Sequence, residues 1–196
     1  MIVVGWTTCD RSQEHQEALR IRDALLSHYL RVSDPSRIVR RTERGRPCLT
    51  VAGADFSVSH SDGTVVVAVS LPDGRPETEY RPDGFRVCSL ELPACRIGID
   101  AESLDGKSAE RCERIAERFF TAAERQMVKT APKPTEAFVR LWTQKESLCK
   151  MTGTGVAGLR RADTQALPDG VAVLSRRCEP EGKACYVSLC VSGREN

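Results

Sequence analysis

The sequence contains no apolar run long enough to cross a membrane. Its longest apolar stretches, such as residues 65–69, are only a few residues long, whereas a membrane-spanning helix needs about 20. The opening residues MIVVGW lack the basic segment and the small-residue cleavage site of a secretory leader. We therefore expect a cytoplasmic protein with no membrane partner.

Neither sign of charge is in excess, because 29 Lys and Arg residues balance 27 Asp and Glu residues to a formal net charge of +2. A nucleic-acid-binding protein carries a basic surplus, so we expect no nucleic-acid partner. With 40% hydrophobic and 29% charged residues, the composition is that of a folded globular protein. The 196 residues suffice for one domain, or for two small halves that share a core.

The nine cysteines include no C-x-x-C pair, and their number is odd. A disulfide framework needs an even number in a secreted chain, and a zinc site needs short paired spacings. We interpret most of them as small apolar side chains that stay reduced. The phosphate-binding motif G-x-x-x-x-G-K-[ST] is also missing, which argues against a P-loop nucleoside triphosphatase.

Apolar spacing and turn residues predict helices and strands in alternation. A helix followed by strands occurs in each half of the chain, which permits a two-half architecture. Polar residues 72–84 are predicted as an exposed loop and residues 44–48 as a turn. The remaining expected elements are a strand at 2–9, a helix from a Ser12 cap to Asp34, a hairpin at 55–71, strands at 85–91 and 96–102, helices at 108–129 and 135–151, and strands at 162–166, 171–176 and 184–192.

Two carboxylates stand at the end of a predicted strand, at Asp100 and Glu102. Side chains two residues apart in a strand point to the same face, and like charges that close repel unless a cation lies between them. Mg²⁺ prefers such oxygen ligands, so the pattern is consistent with a magnesium site. The alternative is a pair of solvated acids at a strand end.

Three side chains share one face of the helix predicted at 135–151, because Trp142, Glu146 and Lys150 are spaced four residues apart. On the functional interpretation, Glu146 joins the cation at Asp100 and Glu102, and Lys150 faces a phosphate one turn further on. The alternative is an ordinary surface pair between Glu146 and Lys150, with Trp142 in the core.

Two further segments carry candidate phosphate ligands. His60 follows a strand and is flanked by Ser59 and Ser61, and Arg46 lies between a glycine and a proline that hold it on a rigid turn. The planar guanidinium suits phosphate oxygens. The alternatives are a structural histidine and a solvated arginine.

Five segments in this order resemble the 4′-phosphopantetheinyl transferases. They are GRP at 45–47, FSVSHS at 56–61, IGIDAE at 97–102, RFFTAAE at 118–124 and LWTQKESLCK at 141–150 with Gly153 and Gly155. The length resembles the monomeric two-half subtype that activates peptide and polyketide synthetases, because the trimeric holo-acyl-carrier-protein synthases are shorter. The segment 72–96 is longer than the family pattern.

The resemblance implies an α+β fold of two similar α/β halves with a pseudo-two-fold relation, each a helix on a small, mostly antiparallel sheet. Residues 1–96 would form the half that contacts the donor phosphates. Residues 97–196 would form the half that carries the metal carboxylates and the catalytic helix, with the active site between the halves.

The family's reaction moves the phosphopantetheine arm of coenzyme A to a serine of an acyl, peptidyl or aryl carrier protein. Adenosine 3′,5′-bisphosphate is the other product. By resemblance, Asp100, Glu102 and Glu146 hold Mg²⁺, and Glu146 or a metal-bound water takes the serine proton. A non-catalytic relative that only binds coenzyme A or a carrier protein is the alternative.

The resemblance also assigns donor contacts. Lys150 and His60 would contact the pyrophosphate and Arg46 the 3′-phosphate, while Pro47 packs near the adenine and Ser59 supports the pocket. Lys145 is a further candidate for a phosphate, and either Arg20 or Arg22 for the 3′-phosphate. A series of basic residues in the helix predicted at 108–129 is the candidate surface for docking the carrier protein, and a solvated helix is the alternative interpretation. The series consists of Arg111, Arg114, Arg118, Arg125 and Lys129.

Overall fold

The computed structural model describes residues 1–72, 80–93 and 96–193. Residues 73–79 of the predicted loop and Cys95 lie outside the described residues. The first half of the chain forms β1 (Ile2–Thr8), α1 (Glu14–Leu30), β2 (Val39–Arg41), β3 (Pro47–Leu49), β4 (Asp55–Ser61), β5 (Thr64–Ser70) and β6 (Arg86–Leu90). The second half forms β7 (Arg96–Ser103), α2 (Ala109–Phe119), α3 (Ala122–Thr130), α4 (Pro134–Thr152), the short α5 (Gly155–Gly158), β8 (Val171–Cys178) and β9 (Cys185–Ser192).

Both halves contain the same arrangement of strands. In the first, the antiparallel sheet has the order β4-β5-β1-β6, and in the second the order is β8-β9-β7. Each half therefore runs strand, helix, hairpin, and the second hairpin strand pairs with the first strand of that half. The small β2-β3 ribbon and the edge strand β6 are additions to the first half. The fold is α+β, as predicted.

Strand β5 is buried on both faces, because it lies between two hydrophobic cores. Its Val65, Val67 and Val69 pack with Ile21 and Leu25 of α1. Its Val66 and Ala68 pack against a group from the second half that contains Ile97, Ile99, Ala101, Leu189 and Val191. The continuous valine run thus follows from burial on both sides rather than from a half-exposed sheet.

Most predicted elements are present, and the hairpin turns at Asp62 and Gly63, whose φ angles of 52° and 84° are left-handed. Ser12 is not a helix cap, because it lies in a 3-10 turn that precedes α1. The helix predicted at 108–129 is two helices, since Thr121 and Glu124 form a capping box that begins α3. Residues 162–166 form no strand.

The eight described cysteines are free thiols, in agreement with the expectation of reduced cysteines. Across the described residues, no helix is both long enough and apolar enough to span a membrane.

Gly98 is required where β7 crosses α4. A Cβ atom on Gly98 would overlap the Ser147 carbonyl oxygen and would lie 2.5 Å from the Met151 backbone nitrogen. We predict that Gly98→Ala lowers the free energy of unfolding by about 3 kcal/mol or more, because backbone atoms cannot yield as a side chain does. Urea unfolding measures this. Gly193→Ala is the matched control, since its Cβ would meet nothing nearer than 3.9 Å, and equal stability of both variants would contradict the prediction.

Candidate active site

The predicted acidic residues line one cleft where β4, β7 and α4 meet. The cleft has a volume of about 330 Å³. Its lining consists of Val58, Ser59, His60, Asp100, Ala101, Glu102, Trp142, Glu146 and Lys150. The structure thus brings together three segments that are distant in sequence. Two faces were predicted from spacing, that of the D-x-E pair and that of Trp142 on the helix, and both point into this cleft.

Strands β4 and β7 are joined by a ladder of side-chain hydrogen bonds. Backbone N–H groups on the free edge of β7 donate to alternate side chains of β4: Ile97 to Asp55 (3.0 Å), Ile99 to Ser57 (2.9 Å), Ala101 to Ser59 (3.1 Å) and Ser103 to Ser61 (3.2 Å). We call this set the side-chain ladder. It satisfies edge donors that would otherwise be buried without partners.

Asp100 is buried, with 6% of its surface exposed, so it is not one of a pair of solvated acids. Its Oδ1 accepts a hydrogen bond from Ser59 Oγ at 2.8 Å and another from Lys150 Nζ at 2.7 Å. Burial raises the pKa of Asp100, and the ammonium of Lys150 offsets part of that rise. Lys150 Nζ also donates to the Val58 carbonyl at 3.2 Å.

Glu102 and Glu146 differ in how their charges are compensated. Glu102 Oε1 accepts from Ser61 Oγ at 3.0 Å and forms an ion pair with Lys107, a residue that sequence reasoning missed. Glu146 has no hydrogen-bond partner or ion pair among the described side chains. Burial and then the nearby charge of Asp100 raise the pKa of Glu146 above its ordinary value. Glu146 is therefore the less compensated of these two carboxyl groups.

The donor set of the cleft suits a hard divalent cation, because it consists of carboxylate oxygens whose charges disfavour one another. In the arrangement seen here, Lys150 and Lys107 supply the positive charge beside Asp100 and Glu102. Within residues 1–72, 80–93 and 96–193, no three His, Cys, Asp or Glu side chains converge closely enough to hold a metal ion. The chemistry fits Mg²⁺, and the metal role of these three carboxylates stays a prediction.

His60 lines the cleft and is held by a carboxylate of the first helix. Its Nδ1 lies 2.7 Å from Glu14 Oε2, and the other oxygen of Glu14 accepts from the Gly63 backbone N–H. This arrangement leaves Nε2 as the ring nitrogen available to a ligand. Glu14 was missed by sequence reasoning because no motif connects the start of α1 to a residue 46 positions later.

Arg46 is placed between the two halves, with 9% of its side chain exposed. Its Nε donates to the Lys150 carbonyl at 2.7 Å, and its two Nη atoms form a bidentate pair with Asp55. The remaining donors contact the carbonyls of Pro47 (3.2 Å) and Ile97 (3.0 Å). A guanidinium has five N–H donors, and here the protein accepts all of them.

Lys145 is fully buried, with 0% of its side chain exposed, and it is assigned to the core rather than to a phosphate. Its Nζ donates to Glu124 Oε2 at 2.8 Å and to the Ala162 carbonyl. Burial raises the pKa of Glu124, but hydrogen bonds from Lys145, Thr164 and Thr121 together hold it below its ordinary value. Residues 162–166 are therefore held by this ion pair, not by strand pairing.

Neither arginine of the first helix lines the cleft. Arg20 pairs with Glu17 and donates to the carbonyls of Asp83 and Gly84. Arg22 pairs with Asp23. The positions of these two arginines therefore do not support a contact between either of them and a 3′-phosphate.

A second, larger cavity of about 820 Å³ adjoins the cleft and shares Val58 and Lys150 with it. Its walls include Pro47 and Phe56 from the first half and Leu148 from α4, so its lining is largely apolar. The loop after α4 closes one side. The two spaces therefore lie side by side between the halves, and the carboxylates line the smaller one. We call the two spaces together the groove.

The predicted basic series lies on two helices rather than one. Arg111, Arg114 and Arg118 are exposed on α2, and Arg125 and Lys129 are exposed on α3. Glu124, which precedes Arg125 in the sequence, is buried and does not contribute to this surface.

Comparison with known proteins identifies relatives of this chain. A model of the 4′-phosphopantetheinyl transferase superfamily matches residues 96–192. The chain is 28% identical over 158 residues to the 4′-phosphopantetheinyl transferase HetI of Nostoc (77% of this chain, 56% of HetI). It is 31% identical over 118 residues to the transferase Sfp of Bacillus subtilis (59% and 41%). It is also 31% identical over 103 residues to a holo-[acyl-carrier-protein] synthase of Streptococcus agalactiae (49% and 85%).

The chain belongs to the 4′-phosphopantetheinyl transferase superfamily. Its similarity to HetI and Sfp supports the Sfp-like type within that superfamily. The chain spans about half the length of these two relatives.

Arg46 stabilises the contact between the halves. Arg46→Ala should lower the free energy of unfolding by about 3–5 kcal/mol, because it leaves the buried Asp55 carboxylate without its charge partner. Chemical denaturation measures the loss. Arg44→Ala, at an exposed position two residues away, is the control and should change stability little. Similar losses in both variants would show that Arg46 does not form this clamp.

Glu146 should reduce stability near neutral pH. A carboxyl group whose pKa is higher in the folded than in the unfolded chain weakens folding as pH rises from the unfolded value through the folded one. Glu146→Gln should therefore raise the free energy of unfolding by about 0.5–2 kcal/mol near neutral pH, and the gain should vanish as pH falls to the ordinary value of 4.5.

Denaturation in a metal chelator at several pH values measures this difference. The exposed Glu113→Gln on α2 serves as the control for loss of a carboxylate. A gain that persists unchanged at low pH would mean that titration of Glu146 is not its cause.

Proposed function

We propose that this protein transfers the 4′-phosphopantetheine arm of coenzyme A to a serine hydroxyl of an apo carrier protein. The serine oxygen forms a bond to the pantetheine-bearing phosphorus of the pyrophosphate. The bond from that phosphorus to the bridging oxygen breaks, and adenosine 3′,5′-bisphosphate leaves. The observation that carries the proposal is the carboxylate cleft, which shares Val58 and Lys150 with a neighbouring cavity of about 820 Å³, a space large enough for a nucleotide.

Glu146 is the proposed acceptor of the serine proton. Its raised pKa moves it toward the value at which a base is effective near neutral pH. It has no hydrogen bond among the described residues that would compete for its oxygens. A metal-bound water is the alternative base.

The residues that would hold Mg²⁺ are Asp100, Glu102 and Glu146. When bound, the ion would neutralise charge on the leaving phosphate and polarise the attacked phosphorus. Lys150 would contact the pyrophosphate, because it stands where the cleft meets the larger cavity. His60 would offer Nε2 to the same group, since Glu14 holds its Nδ1.

The two halves would then have separate tasks. Residues 1–96 would contribute Ser59, His60 and Pro47 to the donor groove, and residues 97–196 the carboxylates and α4. Several relatives are named for transferring phosphopantetheine or for making a holo carrier protein, which supports an acyl, peptidyl or aryl carrier as transient partner. We propose a cytoplasmic monomer whose exposed arginines on α2 attract the acidic carrier.

The transfer assay uses apo carrier protein with coenzyme A and Mg²⁺, and mass spectrometry detects the gain of one phosphopantetheine group. Asp100→Asn should reduce the rate more than about 100-fold, because it removes a metal ligand and the partner of Lys150. The matched control Asp105→Asn changes an exposed acid just after β7 and should retain full activity.

Urea unfolding of Asp100→Asn separates loss of the site from loss of the fold. Full activity of a folded Asp100→Asn protein would contradict the metal assignment. Binding of coenzyme A by the wild type without any mass gain on several carrier proteins would instead identify a non-catalytic binding relative.

A further inference from the structure

We propose that Cys178 and Cys185 are a site of reversible oxidation, where a disulfide forms and closes the end of the β8–β9 hairpin. We call these two residues the hairpin thiols. Neither of them lines the groove, and the inference does not depend on the proposed function.

The strand register places the hairpin thiols directly opposite each other. Cys178 is the last residue of β8, Cys185 is the first residue of β9, and the two form the final pair of the antiparallel ladder. Opposite residues of such a ladder have Cα atoms about 4.5–5.5 Å apart, and a disulfide needs about 4.4–6.8 Å. Their Cβ atoms lie about 4.5–5.5 Å apart, so the side chains need only a small approach to reach the disulfide range of about 3.5–4.5 Å.

The other described cysteines lack such a partner in the strands. Cys88 lies opposite Val4, Cys48 lies opposite Arg40, and Cys190 lies opposite Gly98 and Val173. The strand registers of the described residues therefore set two cysteines opposite each other at the end of the β8–β9 hairpin and at no other position.

The environments of the two thiols give them different parts in the reaction. Cys185 is 2% exposed, whereas Cys178 is partly exposed and its S–H donates weakly to the Arg176 carbonyl at 3.9 Å. Burial raises the pKa of both thiols, to about 11 for Cys185, and the charge of Arg176 lowers that of Cys178. A thiol that is partly exposed and close to a cation is the one that reacts first, so an oxidant meets Cys178 before Cys185.

The oxidant we name is a small disulfide such as oxidised glutathione. The Cys178 thiolate attacks one sulfur of that disulfide, which forms a mixed disulfide and releases one glutathione thiol. The Cys185 thiolate then attacks the sulfur of Cys178, and the second glutathione leaves as a thiol. The protein loses two protons and two electrons, and the oxidant gains them. Once Cys178 is in the mixed disulfide it carries no charge, which removes one cause of the high pKa of Cys185.

Closing the hairpin at this end would also secure contacts of its loop, residues 179–184. The Ala184 carbonyl accepts a hydrogen bond from the Leu104 backbone N–H at 2.9 Å. Lys183 Nζ donates to the Asp62 carbonyl at 3.5 Å. The loop therefore touches both the segment after β7 and the turn of the first hairpin. Because a disulfide restricts the unfolded chain, the oxidised protein should be the more stable form.

The test treats the reduced full chain with oxidised glutathione at mildly alkaline pH, blocks the remaining thiols by alkylation and measures the mass. The wild type should lose the mass of two hydrogen atoms, and peptide mapping should join Cys178 to Cys185. The Tm of the oxidised chain should exceed that of the reduced chain by about 2–8 °C. Dithiothreitol should reverse both changes.

Three variants separate this pair from the other thiols. Cys185→Ala should stop at the mixed disulfide and keep one glutathione on Cys178. Cys178→Ser should form no disulfide and show no rise in Tm, and because it changes a partly exposed position it remains informative if Cys185→Ala does not fold. Cys88→Ser is the matched control, since it removes an exposed cysteine that lies opposite Val4, and it should behave as the wild type.

A wild type that keeps glutathione on Cys178 without passing the bond to Cys185 would overturn the proposal. So would an unchanged mass, a disulfide that joins either hairpin thiol to Cys88 or to another cysteine, or equal Tm values of the oxidised and reduced chains. None of these measurements uses coenzyme A or a carrier protein, so their outcome is independent of the transfer activity.

Discussion

The side-chain ladder between β4 and β7 is the contact on which the rest of the site depends. Each buried N–H group without a partner would cost about 1–3 kcal/mol, and four are satisfied here by Asp55, Ser57, Ser59 and Ser61. The ladder also fixes a register, because its partners are always 42 residues apart. That register puts Ser59 beside Asp100 and Ser61 beside Glu102. Slipping by one residue would turn the serines away from both acids.

Concentrating three carboxylates in one cleft is unfavourable for folding, and the fold offsets this with hydroxyls and lysines. Ser59 and Lys150 compensate Asp100, while Ser61 and Lys107 compensate Glu102. Glu146 forms no hydrogen bond or ion pair among the described residues, and the charge of Lys150 offsets only part of the effect of burial and of its acidic neighbours, which together raise its pKa. The proposed roles in holding a cation and accepting a proton would require the cleft to keep some of this unfavourable charge, because complete neutralisation would remove its affinity for both.

Local spacing was enough to predict most of the elements and the side-chain faces that line the cleft. The alternation in β4, the D-x-E pair and the helix face of Glu146 and Lys150 are properties of one segment each. What the sequence could not show is which distant group meets a side chain. The sequence suggested a ligand-binding role for Arg46 because most of its partners, Asp55 and the carbonyls of Ile97 and Lys150, belong to other segments. Lys145 was a candidate for a phosphate contact, and only the fold shows that its ammonium meets Glu124 and the Ala162 carbonyl instead. The same ion pair explains why residues 162–166 do not form the expected strand.

The two cations at the interface illustrate how arginine and lysine suit different tasks. Arg46 is planar and fully hydrogen-bonded, and it ties the β3 segment to Asp55, to β7 and to the end of α4 at once. Lys150 has 31% of its side chain exposed, and its single flexible ammonium contacts one carboxylate and one carbonyl. Such a group can exchange partners at little cost, whereas Arg46 cannot. Because Arg46 bonds to the carbonyl of Lys150 itself, the clamp between the halves also fixes the backbone from which this lysine extends. The rigid cation therefore positions the adaptable one, and neither half of the chain could build the groove alone.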